Sequence, residues 1–154
     1  MTLPTWAEHG WLKAHKTSAQ EIGNLLAIVE RDLQDASVSN LSPDWRFGIA
    51  YNAALKLCTI LLPAEGYRPT QGLAHFRTIQ SLPLILGEGR RADASYLDAC
   101  RLKRNTLEYD CAGCATEADA NELVQFVQGL REAVLGWLLG QHPGLAPSPR
   151  TRLG

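Results

Sequence analysis

The chain has 154 residues, 45% of them hydrophobic and 20% charged, which is typical of one globular domain and too short for two ordinary ones. Its formal net charge of -1 argues against a general nucleic-acid coat or a polybasic membrane binder, but not against a local basic site. The unbroken apolar runs are far shorter than the roughly 20 residues that span a bilayer, and no secretory signal pattern is present. Four cysteines are too few for a disulfide scaffold. We therefore expect a cytoplasmic protein with reduced thiols and no membrane contact.

Helical patterns dominate the chain, and strand patterns are nearly absent. Apolar residues recur every three or four positions in five segments, and start or stop signals flank most of these segments. The predicted helices cover about 18–36, 43–63, 72–81, 94–110 and 116–140. Four long helices and one short helix predict an all-α, up-and-down bundle. The sequence allows two overlapping capping boxes at the start of the first long helix: Thr17 with Gln20, or Ser18 with Glu21.

We assign residues 1–140 to a single domain. Within it, residues 1–16 form an N-terminal segment in which Trp6 and Trp11 either pack as core or interface anchors or form a docking patch for another protein. Residues 141–154 are a proline-rich tail that we expect to be disordered.

The last helix carries a long apolar stripe, which predicts a partner helix and favours a homodimer. The stripe consists of Leu123, Val127, Leu130, Val134, Trp137 and Leu138.

The 94–110 helix has the most unusual chemistry in the chain. At about 100° per residue, one arc of roughly 140° carries two guanidiniums, an amide, two carboxylates and a phenol. These groups belong to Asp98, Arg101, Arg104, Asn105, Glu108 and Tyr109, and Tyr96, Cys100 and Leu107 are expected on the opposite, apolar side. An ordinary interpretation is a solvated face with ion pairs such as Arg104 with Glu108.

Several short motifs, together with the order of the helices, suggest a family. They are Tyr51-Asn52-Ala53-Ala54-Leu55, Gly66-Tyr67-Arg68, Arg104-Asn105 and Tyr109-Asp110. Over about 21–138 the chain resembles the HEPN superfamily. The resemblance implies a small helical bundle that pairs as a dimer, often alongside a small nucleotidyltransferase. It also implies metal-independent ribonuclease activity in those members that have an arginine, often followed by asparagine, and a histidine separated from that arginine by four to six residues.

Arg104-Asn105 matches the first half of this catalytic motif, but no histidine completes it. Tyr109, Asp110 and Cys111 occupy the positions where the histidine could fall. An unperturbed tyrosine, with a pKa of about 10, is a poor general base, although its hydroxyl can donate a hydrogen bond to a phosphate. On the resemblance, Arg104, Asn105 and Tyr109 are the candidate catalytic residues.

Further candidate substrate-binding residues flank this motif: Arg101, Glu108, Asp110 and His75. His75 is the one histidine inside a predicted helix of the core. It is either an ordinary surface or hydrogen-bonded histidine, or it approaches Arg104 in space and supplies the missing imidazole.

No metal or cofactor is predicted. Cys111-x-x-Cys114 has no second cysteine pair to complete a zinc site, and it lacks the βαβ context of a redox motif. We interpret it as a turn that ends a helix, with Gly113 free to adopt a left-handed conformation. The segment 87–91, with two glycines and two arginines, is predicted to be a loop and could form a basic rim beside an RNA.

Two functions remain open. In the first, the chain is a ribonuclease or related toxin that acts as a dimer, with RNA between the two 94–110 helices. In the second, it is a non-catalytic binding or scaffold module that assembles with a partner such as a nucleotidyltransferase-type antitoxin.

Overall fold

A computed structural model describes residues 1–109 and 111–147, with Tyr109 described in its backbone only. Within these residues there are six α-helices, one short 3-10 turn and one small two-stranded sheet. The elements are α1 (Leu3–Glu8), β1 (Leu12–Ala14), α2 (Ala19–Ala36), α3 (Pro43–Ala64), β2 (Tyr67–Pro69), α4 (Ala74–Leu86), the 3-10 turn (Glu88–Arg90), α5 (Arg91–Tyr109) and α6 (Glu117–Gln141). The prediction was an all-α bundle; the structure confirms a mainly α protein and adds a small two-stranded sheet.

The helix α3 is the centre of the molecule, with α2, α4, α5 and α6 packed around it. Its second half is buried on nearly all sides. By length and composition it is the one helix, among the residues described, that could cross a membrane: an 18-residue window has a mean hydropathy of 1.4, although no unbroken apolar run marks it in the sequence. Since 72% of that window is buried inside the molecule, α3 has the surroundings of a core helix.

Local capping explains where the long helices begin. Of the two capping options for α2, the structure uses Ser18, whose hydroxyl accepts the amide hydrogen of Glu21 at 3.1 Å. The Ser42 hydroxyl caps α3 in the same way. At α6, Thr116 and Asp119 form a complete capping box, with both hydrogen bonds at 3.0 Å.

Two helices around the segment 87–91 are longer than predicted. Helix α4 continues past Ser81 to Leu86 because its last turns, including Leu82 and Pro83, are buried against the core. The predicted loop is instead a 3-10 turn that leads directly into α5 at Arg91. Its arginines pair with nearby acids, Arg90 with Asp93 and Arg91 with Glu88, so this segment is a folded helix junction.

The N-terminal segment folds onto one end of the bundle. Leu3, Trp6 and Leu12 form a small second core against Leu62 of α3. Strands β1 and β2 pair in antiparallel fashion, with Lys13 opposite Arg68. Trp6 is only 7% exposed, so its indole serves the core of this chain and is not presented to a partner.

The apolar stripe of α6 is buried within the chain. Most of its residues pack against α3, with a smaller contact to α2. The stripe therefore has its partner helix already, and by itself it no longer favours a second copy. After α6, residues 142–147 form turns, and Leu145 and Ala146 pack partly buried against the core. The rest of the predicted disordered tail lies outside the described residues.

Candidate functional site

Two ion pairs lie on the polar face of α5. Arg104 contacts Glu108 at 3.0 Å, which is the predicted pair one helical turn apart, and Arg101 contacts Asp98 at 2.9 Å. All four side chains are between about a quarter and two-fifths exposed. Ion pairs in such surroundings are worth about 0–1 kcal/mol, so both guanidiniums can exchange their partners at small cost.

Both arginines also reach the neighbouring helices. The Arg104 guanidinium lies 5.6 Å from the centre of the Tyr51 ring on α3, and the Arg101 guanidinium lies 5.9 Å from the Phe76 ring on α4. Leu107 packs partly buried against the core, as expected for the apolar side of α5, and also lines the same cavity as Arg104. Leu107 follows Arg104 by three positions, so the two side chains are neighbours on the surface of the helix.

His75 belongs to the same region. It is exposed on the first turn of α4, next to the Phe76 ring that Arg101 covers. Partial burial, and then the positive charges of Arg104, Lys56 and Arg101, lower the pKa of His75 below its ordinary value of 6.5. The imidazole is therefore neutral at pH 7 and can accept a proton or a hydrogen bond. No hydrogen bond or ion pair joins His75 to Arg104 among the residues described, so the sharper hypothesis, that the imidazole approaches Arg104, stays a prediction.

Tyr51 lies beneath this group and carries an unsatisfied polar atom. Its side chain is 1% exposed, and its hydroxyl has no hydrogen-bond partner among the residues described. Burial raises the pKa of Tyr51 to about 12, although the nearby Arg101 and Arg104 act in the opposite direction. The hydroxyl thus keeps its proton. In the sequence Tyr51 is notable only as part of the motif Tyr51-Asn52-Ala53-Ala54-Leu55, and the tertiary structure adds the Arg104 guanidinium over its ring.

We call these residues the cationic cluster, because the charges of three basic side chains act on His75, and one of these side chains, Arg104, also lies over the Tyr51 ring. Its members are Tyr51, Lys56, His75, Arg101 and Arg104. They come from α3, α4 and α5, so no single sequence motif contains them. Guanidinium groups such as those of Arg101 and Arg104 are suited to bind an anionic group.

A cavity of about 440 Å³ adjoins the cationic cluster, with Arg104 in its wall. We call it the acidic cavity because three carboxylates line it. Its lining includes Asp32, Asp44, Trp45, Asn52, Arg104 and Glu108. Trp45 is 64% exposed, so one wall of the cavity is an indole with little to cover it.

Two of these carboxylates are held in place by the fold. The Asn52 amide donates to Asp32 at 2.7 Å, so the asparagine has the partner that burial demands, and Asp32 also accepts from Arg31. Asp44 accepts from the backbone amides of Gly113 and Ala115, and thereby fixes the α5–α6 loop to the start of α3. Sequence analysis missed Asp32 and Asp44, because nothing in their local patterns indicates a long-range partner.

The remaining predicted site residues are less informative. Asn105 is exposed on α5 and makes no side-chain hydrogen bond within the described part of the chain. The side chain of Tyr109, and Asp110 as a whole, lie outside the described residues. Residues 1–109 and 111–147 contain no group of three or more histidine, cysteine or acidic side chains placed to hold a metal ion.

The expectation of reduced thiols is wrong for one cysteine pair. Cys111 and Cys114 form a disulfide, with Cα atoms 5.9 Å apart, because the turn after α5 folds the two residues towards each other. Gly113 adopts the expected positive φ of 82° within this turn. Cys58 and Cys100 are free and buried.

Comparison of the chain with protein-family models, with curated proteins and with solved structures gave no match. The resemblance to the HEPN superfamily therefore stays a prediction.

Proposed function

We propose that this protein binds the phosphate groups of RNA or of a nucleotide at the cationic cluster, and that it can act there as a metal-independent endoribonuclease. The observation that supports the proposal is the position of the two α5 guanidiniums: Arg104 lies 5.6 Å from the Tyr51 ring on α3, and Arg101 lies 5.9 Å from the Phe76 ring on α4, next to His75. Cleavage of RNA without a metal needs two kinds of group. Arg104 would supply a guanidinium that donates hydrogen bonds to two phosphate oxygens, and His75 would supply a neutral imidazole.

Phosphate binding requires Arg104 to leave Glu108. That half-exposed ion pair contributes at most about 1 kcal/mol, whereas hydrogen bonds to a charged group contribute about 1.5–3 kcal/mol. The exchange therefore favours the phosphate. Arg101 and Lys56 add positive charge nearby.

Cleavage would use His75 as the general base. The neutral imidazole accepts the proton of a ribose 2′-hydroxyl, and the 2′-oxygen attacks the adjacent phosphorus held by Arg104. The bond from phosphorus to the 5′-oxygen breaks, a 2′,3′-cyclic phosphate forms, and water supplies the proton to the leaving oxygen. In this scheme His75 takes the role of the histidine that the motif lacks, and no metal is needed.

The experiment measures binding and cleavage of a mixed RNA pool in EDTA. Arg104→Ala should weaken binding about ten- to a hundredfold. His75→Gln should lower the cleavage rate with RNA affinity kept within a fewfold, and Tyr109→His should raise cleavage by completing the family motif. Arg91→Ala is the matched control, since Arg91 lies on the same helix in a similar ion pair with Glu88. If the folded proteins neither bind nor cut RNA, the proposal is wrong.

A second candidate is a non-catalytic module that assembles with a partner protein. It is favoured by the pairing of both Arg101 and Arg104 with acids of their own helix, as on a solvated or protein-docking face. A small nucleotidyltransferase encoded beside this chain is the partner to test, by gel filtration of the mixed proteins. A stable complex that survives Arg91→Ala but not Arg104→Ala, without any RNA binding, would favour this candidate.

A further inference from the structure

We propose that the acidic cavity is a nucleobase subsite, selective for guanine, that works with the cationic cluster to bind a guanine nucleotide or an RNA guanosine. The inference rests on the proposed phosphate site and adds a specificity to it. The cationic cluster and the acidic cavity differ in polarity, and they share Arg104.

The polarities of the two sites match the two ends of a nucleotide. The cationic cluster suits an anionic phosphate. The acidic cavity, with carboxylates of Asp32, Asp44 and Glu108 in its lining, repels a phosphate but accepts hydrogen bonds from a neutral group. A nucleotide has an anionic end and a neutral base rich in N–H groups. Its dimensions suit a cavity of about 440 Å³, which falls within the usual range for small-molecule sites.

Trp45 supplies the surface on which a base would stack. It is the most exposed of the four tryptophans, at 64%, and it lines the cavity instead of packing into the core. Unpaired bases in RNA-binding proteins are commonly held by stacking on aromatic side chains and by hydrogen bonds to their Watson–Crick edge. The cavity offers both kinds of contact.

Glu108 gives the preference for guanine. When a phosphate takes the Arg104 guanidinium, the Glu108 carboxylate loses its partner beside the cavity. A carboxylate only accepts hydrogen bonds, and its two oxygens match two adjacent donors. Guanine presents such a pair, N1–H and N2–H, whereas uracil presents a single N–H. A guanine nucleotide would thus bind Arg104 through its phosphate and Glu108 through its base.

The experiment compares guanosine 5′-monophosphate, adenosine 5′-monophosphate and ribose 5-phosphate by isothermal titration calorimetry. The wild-type protein should bind the guanine nucleotide at least tenfold more tightly than ribose 5-phosphate. Trp45→Ala should remove most of this gain, and Trp45→Phe should restore part of it because the ring is kept. Leu102→Ala, which removes an exposed apolar residue of α5, is the matched control and should keep the gain.

Glu108→Gln tests the hydrogen-bonding part separately. The amide offers a donor beside an acceptor, the pattern that pairs with adenine, so the preference should move from guanine towards adenine. Inorganic phosphate should bind more tightly to this variant, since Arg104 no longer pairs with a carboxylate. Glu88→Gln changes the equivalent pair with Arg91 and should leave the preference as in the wild type.

The outcomes separate this inference from the proposed function. Equal affinities for the guanine nucleotide and ribose 5-phosphate would overturn the base subsite and leave the phosphate site intact. A guanine preference that survives both Trp45→Ala and Glu108→Gln would also overturn it. Binding of arginine methyl ester in place of nucleotides would make the cavity a receptor for a basic protein side chain. No binding of any phosphate compound or RNA would end both proposals.

Discussion

Replacement of Arg46 on α3 tests the junction that this residue forms with α2 and α6. Its side chain is only 8% exposed, and its guanidinium joins three helices. The Nε atom donates to the carbonyl of Ala36 at the end of α2 at 2.7 Å. The two terminal nitrogens donate to Glu117 at 2.8 Å and to Asn121 at 2.7 Å, both on α6.

Arg46→Met keeps most of the apolar stem of the side chain and removes all three hydrogen bonds. The loss at Glu117 should cost little, because that carboxylate is 62% exposed and water replaces the guanidinium. The Ala36 carbonyl belongs to a fully buried residue, and an unsatisfied buried acceptor costs about 1–3 kcal/mol. With a smaller contribution from Asn121, the variant should lose about 2–4 kcal/mol of unfolding free energy.

Urea unfolding followed by circular dichroism measures this loss. With a denaturant slope of about 2 kcal/mol per molar urea, the midpoint should fall by about 1–2 M. Arg91→Met is the control: its guanidinium is 57% exposed and paired with Glu88 at the surface, so the expected loss is below about 0.5 kcal/mol. If Arg46→Met and Arg91→Met unfold at the same urea concentration, Arg46 does not join α2, α3 and α6 as described.

Further predictions concern capping, the cysteines, assembly and pH. Thr116→Ala should lower the unfolding free energy by about 1 kcal/mol through loss of the α6 cap, and a loss near zero in urea unfolding would contradict the capping box. Replacing both Cys111 and Cys114 by serine should leave the helical circular dichroism spectrum nearly intact, and metal analysis of the purified protein should find no stoichiometric zinc. Since the α6 stripe is buried within the chain, a dimer is expected only from the resemblance to the HEPN superfamily: light scattering should then give about twice the chain mass of 16.9 kDa, and a monomer mass would refute the dimer. Because the pKa of His75 is lowered in the folded state, the unfolded chain binds that proton more readily. Its stabilising contribution should therefore be present above about pH 6.5 and lost as the pH falls further, and His75→Gln should reduce this pH dependence in unfolding experiments.

The long helices could be predicted from the sequence because their determinants are local. The start of α2 after Ser18 and the start of α6 after Thr116 depend on side chains that bond to backbone amides three residues away. The Arg104–Glu108 pair was predictable for the same reason, since it spans one helical turn. Where two local options were equal, as at Thr17 and Ser18, the sequence pattern alone did not choose between them.

Elements that depend on distant contacts were missed or misplaced. The helix α1 and the strands β1 and β2 are too short to form a periodic pattern, and they exist because they pack on α3 and pair with each other. Helix α4 extends past its predicted end because burial of Leu82 and Pro83 outweighs a weak local signal. The apolar stripe of α6 was correctly predicted to need a partner helix, but only the fold shows that α3 is that partner.

The candidate site shows the same division between local and long-range information. The sequence by itself determined that α5 carries Arg101, Arg104 and Glu108 on one polar face, because helical geometry fixes which residues share a side. The tertiary structure decided what that face meets: the Tyr51 ring on α3, the Phe76 ring on α4, and the cavity beside Trp45. These groups lie far apart in the chain, and their proximity follows from the packing of α4 and α5 against α3, which no local spacing encodes.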